Sequence, residues 1–289
     1  MPNRILVTAG NGMFGHALIL QLLDRDDIEV RAMVHNRSKF TLTGSNLSVV
    51  EADMDDPASL EPVTRDITHA FVTSPMDEKV AARESAVVDA CKANGTPHIL
   101  NIHGAVRHQG DQLHSSHLAA IEHLKSSGLP WTLVSPNSVM ETSLIPYKAD
   151  VAMGEILGIS GEGRIGMVAL DDVAAVIAAV ATSEGHDGEN YELTGPAAVT
   201  FGEVAEAFAR VLRHPVKYVD MSEEDFAQML IEHAGFSTSE EVEIQVMCHL
   251  RSWREGGASL VTDTVKQLTG RDPMSVEQWI QENQAVFLG

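Results

Sequence analysis

The chain has 289 residues, 44% of them hydrophobic, and sets 20 Lys plus Arg against 41 Asp plus Glu, a formal charge of −21. Such an acidic surface repels nucleic-acid phosphates and anionic lipid headgroups, so neither is an expected partner. The longest clean apolar run, residues 173–181, is too short to span a bilayer, and no basic segment followed by a long apolar stretch opens the chain. The two cysteines, Cys91 and Cys248, have no paired spacing, and together these features predict a cytoplasmic protein with small buried thiols.

The first half alternates short β-rich runs with helical patterns. Residues 5–8, 29–34, 47–50, 70–73, 99–102 and 131–135 read as strands, mostly apolar enough to be covered on both faces. Between them, residues 79–94 predict a helix whose stripe is Val80, Ala81, Ser85, Val88 and Cys91 and which stops at Gly95, and residues 114–127 predict another, closed by Gly128 and Pro130. Strands alternating with helices imply right-handed crossovers and a doubly wound parallel sheet.

After Pro136 the rhythm changes. Asp171 or Asp172 is expected to cap an alanine-rich helix, and residues 191–194 a strand, with helices at 201–212, 222–233 and 275–287. The mildly basic "RVLRHPVKY" reads as a solvated helix end followed by a strand. The expectation is an α/β Rossmann domain over residues 1–150 and a smaller, mostly helical substrate lobe over 151–289, completing the sheet edge in one compact unit with a cleft.

The first βα unit, "RILVTAGNGMFGHALILQLL", carries the chemistry. Gly10, Gly12 and Gly15 are spaced G-x-G-x-x-G directly after a strand and at the start of a helix. Without a Cβ the backbone can approach a pyrophosphate, whose charge meets free N–H groups at the positive helix end, while Gly15 lets helix and sheet pack closely. Alone the pattern is weak; in this strand-to-helix context it predicts a bound dinucleotide. The second strand ends in "VHNRSK", where an NAD-specific site would place an acid for the ribose 2′-hydroxyl. His35, Arg37 and Lys39 instead favour a 2′-phosphate, the alternative being a solvated basic loop.

The segments "ILVTAGNGMFGHAL", "VHNRSK", "VVEADMDDPASL", "HLAAIEHLKSSGLPWTLVSPNSVMET" and "DDVAAVIAAVATSEGHDGENYELTGP" together resemble the NmrA-like atypical short-chain dehydrogenases over nearly the whole chain. That family comprises NADP-binding Rossmann proteins, among them quinone and triphenylmethane-dye reductases and redox-sensing regulators without turnover. The resemblance implies that Gly10, Asn11, Gly12, Met13, Phe14 and Gly15 hold the pyrophosphate with Thr8 beside them. It implies His35, Asn36, Arg37 and Lys39 for the 2′-phosphate, Asp53 and Met54 for the adenine, and Thr73, Ser74 and Pro75 for the nicotinamide-side ribose. Pro136, Asn137 and Ser138 would flank the nicotinamide. Two departures are Ala9, where the family usually has Gly, and His35, where it usually has Arg.

Ordinary short-chain dehydrogenases use a Tyr-x-x-x-Lys pair, in which the lysine lowers the phenol pKa for proton exchange during hydride transfer. Here the residues four places after Tyr147, Tyr191 and Tyr218 are Val151, Gly195 and Ser222, and Leu113 and His117 stand where the pair would be, which excludes that mechanism. A quinone or conjugated carbonyl can take hydride directly, so His103 or His117 is the candidate proton donor. Each is also accounted for as a polar residue lining a cofactor cleft. His98, His103, His108, His114, His117 and His123 crowd one interval, but without H-E-x-x-H or a completing carboxylate or thiolate set, so no metal is expected. "SPNSVMETS" lacks the G-x-S-x-G elbow of a serine nucleophile. Met140, Met229 and Trp253 read as helix core or as an apolar substrate face. The expected activity is NADPH-dependent hydride transfer to a quinone or conjugated carbonyl by a monomer or homodimer. The alternatives are a redox sensor without turnover and a nicotinamide-using isomerase or epimerase.

Overall fold

A computed structural model of the chain describes residues 3–23, 25–95, 97–104 and 112–288. In chain order the elements run β1 (Asn3–Val7), α1 (Met13–Leu22), β2 (Ile28–Val34), β3 (Leu47–Glu51), α2 (Pro57–Val63), β4 (His69–Val72), α3 (Val80–Asn94), β5 (His98–Ile102), α4 (Gln112–Ser126) and β6 (Trp131–Pro136). They continue with β7 (Ser138–Val139), α5 (Met140–Leu144), α6 (Lys148–Met153), β8 (Glu155–Gly158), β9 (Met167–Val168), α7 (Leu170–Ala181) and β10 (Glu189–Leu193). The last are α8 (Phe201–Leu212), β11 (Lys217–Asp220), α9 (Glu223–His233), α10 (Ser239–Val242), α11 (Cys248–Arg254), α12 (Thr264–Thr269) and α13 (Val276–Phe287). All six strands expected in the first half are present, each displaced by no more than a few residues.

The chain divides into two compact units. The first comprises Met1–His103, Gln112–Ser135 and Val173–Tyr191. Among the described residues its sheet has the order β10-β6-β5-β4-β1-β2-β3, and every pairing from β3 across to β6 is parallel. This is the doubly wound Rossmann arrangement that the alternation of elements predicts. The chain runs outward from β1 to β3, then returns to the other side of β1 for β4, so the strand order reverses between β1 and β4. At such a reversal the two flanking crossovers leave on opposite faces and open a crevice at the carboxyl ends of the strands. Leu6, Met33, Ala70, Val72, Ile99 and Leu133 of the strands are buried with Leu60 of α2, Val87, Val88 and Cys91 of α3 and Leu124 of α4.

The expected stripe of α3 needs correction. Its buried residues are Val80, Glu84, Val87, Val88 and Cys91, whereas Ala81 and Ser85 are only half-buried. A carboxylate therefore sits in the face that packs inward, and small residues that could have been buried are displaced to the flank.

The second unit is made chiefly of Pro136–Asp172 and Glu192–Gly289. Its helix α8 begins at a capping box, Thr200 with Glu203, and α13 at a second, Ser275 with Gln278, each such cap contributing about 1 kcal/mol. Phe208 and Phe287 join these helices edge to face at 4.7 Å, and the Trp279 indole N–H donates to Glu141 at 2.7 Å. Two short parallel pairs, β8 with β11 and β7 with β9, add to the helices. Sequence periodicity missed most of these strands, which are too short to show a period. Asp171 and Asp172 are not caps: α7 starts at Leu170, whose N–H donates to Glu141, and both aspartates lie in its first turn. Asp172 is buried and accepts the Met274 N–H at 2.7 Å, with burial raising its pKa.

Candidate functional site

The turn after β1 is built for a close neighbour. Gly10 N–H donates to the Met33 carbonyl at 2.8 Å and Gly12 N–H to the Ala9 carbonyl at 2.7 Å, which folds the chain back on itself. A Cβ on Gly15 would lie 2.5 Å from the Ala9 carbonyl oxygen and 2.9 Å from that of Thr8, so only glycine fits between helix and strand. Ala9 itself has φ +46°, the left-handed conformation that favours glycine, at the position where the resembled family usually has it. Helix α1 has no side-chain cap at Gly12 and no acidic residue in its first turn. The N–H groups of Met13, Phe14 and Gly15 have no partner four residues back, and they point with the positive helix end at the site. An uncapped helix start, a glycine turn that brings helix and strand to backbone distance, and an adjacent cavity fit a dinucleotide pyrophosphate.

That cavity, of about 440 Å³, is lined by Ala9, Met33, His35, Ala52, Asp53, Met54, Asp55, Pro75 and Arg83. It brings together His35, Asp53, Met54 and Pro75, four residues expected at the adenine and ribose ends. Arg83 and Asp55 were not expected there. Arg83 bonds both Asp55 and Asp77, at 3.0 Å and 2.8 Å, and these ion pairs hold both carboxyl groups below the usual range, Asp55 at about 2. No local motif marks an arginine on α3 as part of the same wall as the end of β3; only the sheet order does.

The basic loop follows β2. Asn36 Oδ1 accepts from the Ser38 N–H at 2.9 Å and so caps the single turn of Arg37–Lys39. The His35 side chain is 80% exposed with Nδ1 3.7 Å from Asp53 Oδ2. Arg37 spends one guanidinium N–H on the Val49 carbonyl at 3.0 Å, and Lys39 is exposed with no side-chain partner among the described residues. The remaining donors face water and remain available to an anion. Opposing them, Glu51 accepts the Arg37 backbone N–H at 2.8 Å.

Beyond β4, Thr8 Oγ1 donates to the Thr73 carbonyl at 2.7 Å and accepts the Thr73 N–H at 2.9 Å, tying the turn of Thr73, Ser74 and Pro75 to the strand that feeds the glycine turn. At the end of β5 the His103 and His117 rings lie 6.4 Å apart, tilted by 44°. Ser135 Oγ donates to Asn190 Oδ1 at 2.7 Å, so at 3.2 Å it accepts from His103 Nε2–H. His103 is half-buried and His117 only 4% exposed. The described residues contain no cluster of metal-ligating side chains, while His108 and the side chains of Leu113 and His114 lie outside them.

In the second unit, Pro136, Asn137 and Ser138 end β6 and enter β7. The Asn137 amide donates to the Ala258 carbonyl at 2.8 Å, and Ser138 Oγ bonds Ser143 Oγ at 2.8 Å. Ser143 in turn lines a cavity of about 820 Å³ with Tyr147, Met229, Leu230, Val246 and Trp253. Met229 and Trp253 thus face an apolar chamber, whereas Met140 is fully buried core. Phe201 backs the chamber, stacking on Trp253 at 5.9 Å and meeting Tyr147 edge-on at 5.6 Å. The other tyrosines serve structure: Tyr191 bonds His186, and Tyr218 bonds Asp220 and the Ser160 N–H.

A family model described as NAD(P)H-binding matches residues 9–184. The chain is 26% identical over 287 residues to an NAD(P)H azoreductase of Xenophilus azovorans, covering 98% of this chain and 99% of that protein. Its fold matches that of the NADPH-dependent quinone oxidoreductase of Escherichia coli in complex with NADPH, with a TM-score of 0.86 and 24% identity over 97% of this chain and 99% of the other. The fold of NmrA, a negative transcriptional regulator solved with NADP, matches with a TM-score of 0.75 and 16% identity over 97% of this chain and 95% of that one. The NmrA-like resemblance read from the sequence therefore extends to the fold.

Proposed function

The chain belongs to the NAD(P)H-binding family, and on that premise we propose that it is an NADPH-dependent reductase passing hydride to a quinone or another flat conjugated acceptor without a tyrosine–lysine pair. The observation that carries this reading is the uncapped start of α1 at Gly10, Gly12 and Gly15, next to a cavity that Ala9 lines, together with the exposed Arg37 and Lys39 after β2 in an otherwise acidic chain. The reductase and oxidoreductase names of the similar proteins support it. The bound dinucleotide supplies the hydride; the side chains supply position and a proton. First-turn amides of α1 hold the pyrophosphate, Arg37 and Lys39 take the 2′-phosphate, and Asp53 and Met54 border the adenine. Thr73, Ser74 and Pro75 carry the nicotinamide-side ribose, and Pro136, Asn137 and Ser138 flank the ring.

The chamber of the second unit, lined by Tyr147, Met229, Leu230 and Trp253 among others, has walls that suit a flat ring system. His103, its Nε2–H held by Ser135, takes up a proton from water at Nδ1 and delivers that proton to the oxygen that gains charge, returning to the neutral imidazole, with the His117 ring 6.4 Å away. The acceptor's oxyanion is delocalised, so a single imidazolium suffices. Purified protein mixed with NADPH and a panel of quinones and azo dyes tests the reading by the loss of NADPH absorbance. Acceptor-dependent loss is expected. Tight NADPH binding with no turnover on any acceptor points instead to a redox sensor, and substrate conversion with no net NADPH loss to an isomerase.

A further inference from the structure

The inward face of α3 contains one carboxylate, and nothing in the reading above uses it. Glu84 is 3% exposed. Its Oε1 accepts from the Ser74 hydroxyl at 3.1 Å and its Oε2 from the Asn101 amide at 2.8 Å, and that amide nitrogen also donates to the Val72 carbonyl at 3.1 Å. Burial pushes its pKa up to about 7. A buried carboxylate with no cation beside it incurs a desolvation cost that its bonds to Ser74 and Asn101 must offset. Its presence in a packed face therefore calls for a role at the groups it touches.

No charged neighbour among the described residues bears on it. Arg83, next on the helix, is bound to Asp55 and Asp77. On α2, Glu61 pairs with Arg65; on α4, His123 pairs with Asp89, Lys125 lies over Trp131 and Glu122 is exposed. His117, also on α4, lies by the His103 ring. His69 of β4 and His98 of β5 stand at the first residues of their strands, opposite the end that Ser74 follows.

Ser74 belongs to the turn that Thr8 clamps from its other side through Thr73. When Glu84 is ionised, both its oxygens can only accept, so the Ser74 hydrogen points inward to Oε1 and the hydroxyl offers only lone pairs outward. When Oε1 takes up a proton from solvent, that O–H donates to Ser74 Oγ, and the Ser74 hydrogen is released to donate outward. A dinucleotide is anionic and rich in acceptor oxygens, so the protonated form is the better partner.

We propose that Glu84 is a positioning residue for the cofactor, which sets through its bond to Ser74 whether the turn after β4 presents a donor or an acceptor to the nicotinamide-side ribose. This rests on the reading of Thr73, Ser74 and Pro75 as that ribose site. Affinity should then fall as pH rises through 7, since the ionised carboxylate both withdraws the donor and places negative charge behind an anionic ligand.

Calorimetric titration of the full chain with NADP⁺ between about pH 6 and about pH 8.5 tests this. In Glu84→Gln the amide donates to Ser74 and its oxygen accepts from Asn101, which fixes the protonated pattern. The ratio of wild-type to Glu84→Gln dissociation constants is expected to rise about fivefold across that range, centred near pH 7. Ser74→Ala, which keeps the carboxylate and removes the hydroxyl, should bind more weakly and show a smaller pH step than wild type. A ratio that stays flat while wild type binds NADP⁺ overturns the proposal and leaves the cofactor reading intact, as does an undiminished step in Ser74→Ala. If wild type binds no NADP⁺ at any pH, the cofactor reading falls and this proposal with it.

Discussion

Ala9 holds a backbone conformation that costs an L-residue roughly 1–2 kcal/mol. Replacing it with glycine removes that strain but adds backbone entropy to the unfolded chain, a loss of roughly 0.5–1 kcal/mol. Ala9→Gly should therefore raise stability by about 0.5 kcal/mol, read as a higher urea midpoint with an unchanged slope; a lower midpoint would mean the methyl contributes packing that outweighs the strain. Arg37 and Lys39 are expected to act together on the coenzyme's extra phosphate. A charge-assisted hydrogen bond contributes about 1.5–3 kcal/mol, so Arg37→Ala should raise the KM for NADPH by about tenfold or more, with kcat and the KM for NADH nearly unchanged. An equal effect on both coenzymes would place Arg37 away from the 2′-phosphate. Both residues are proposed from sequence alone, because their charge and their place after β2 are local features. Arg83 and Glu84 are not, since their partners come from β3, the turn after β4 and from β5.

At the scale of elements, α1 and β1 meet at Gly15. A methyl there must displace the Ala9 and Thr8 carbonyls, and overpacking of this kind costs about 1–3 kcal/mol. Gly15→Ala should lower the thermal midpoint and abolish NADPH binding together; retained binding would show that the helix start tolerates a shift. At the opposite end of the sheet, β4 and β5 begin with His69 and His98, whose rings stack at 5.6 Å. Burial, then the neighbouring His98, lowers the His69 pKa to about 4, and burial lowers that of His98. The folded state thus binds fewer protons than the unfolded one between pH 6.5, the ordinary histidine value, and about 4. Stability is lost as pH falls through that window and is flat above it. Relative to His69→Gln, wild type should lose on the order of 1–2 kcal/mol on acidification, discounted for the partial exposure of the ring. A constant difference between the two proteins across the window would show that His69 keeps its ordinary pKa. Helix boundaries were read well wherever a cap or glycine marks them, as at Phe201–Leu212 with its capping box and at Val80–Asn94 before Gly95. The stripe of α3 was misread because burial of Glu84 depends on hydrogen-bonding partners, which hydropathy does not register.

At the scale of the whole molecule, a formal charge of −21 means mutual repulsion in the folded state. Raising ionic strength from about 10 mM to about 150 mM shortens the Debye length from about 30 Å to about 8 Å, so the thermal midpoint should rise by a few degrees with sodium chloride; a falling midpoint would assign more weight to ion pairs such as Arg83 with Asp55 and Asp77. The sequence by itself determined the order of strands and helices in the first half, the glycine turn, the basic loop and the lack of a Tyr-x-x-x-Lys motif, because each is written in residues close together along the chain. Only the tertiary structure decided that α3 joins the wall of the cavity at β3, that His103 and His117 stand side by side, and that Met229 and Trp253 line a chamber while Met140 is core. The physical reason is that these depend on which strands pair and which faces are buried, and a local hydrophobic period specifies that a face is buried but not what it meets there.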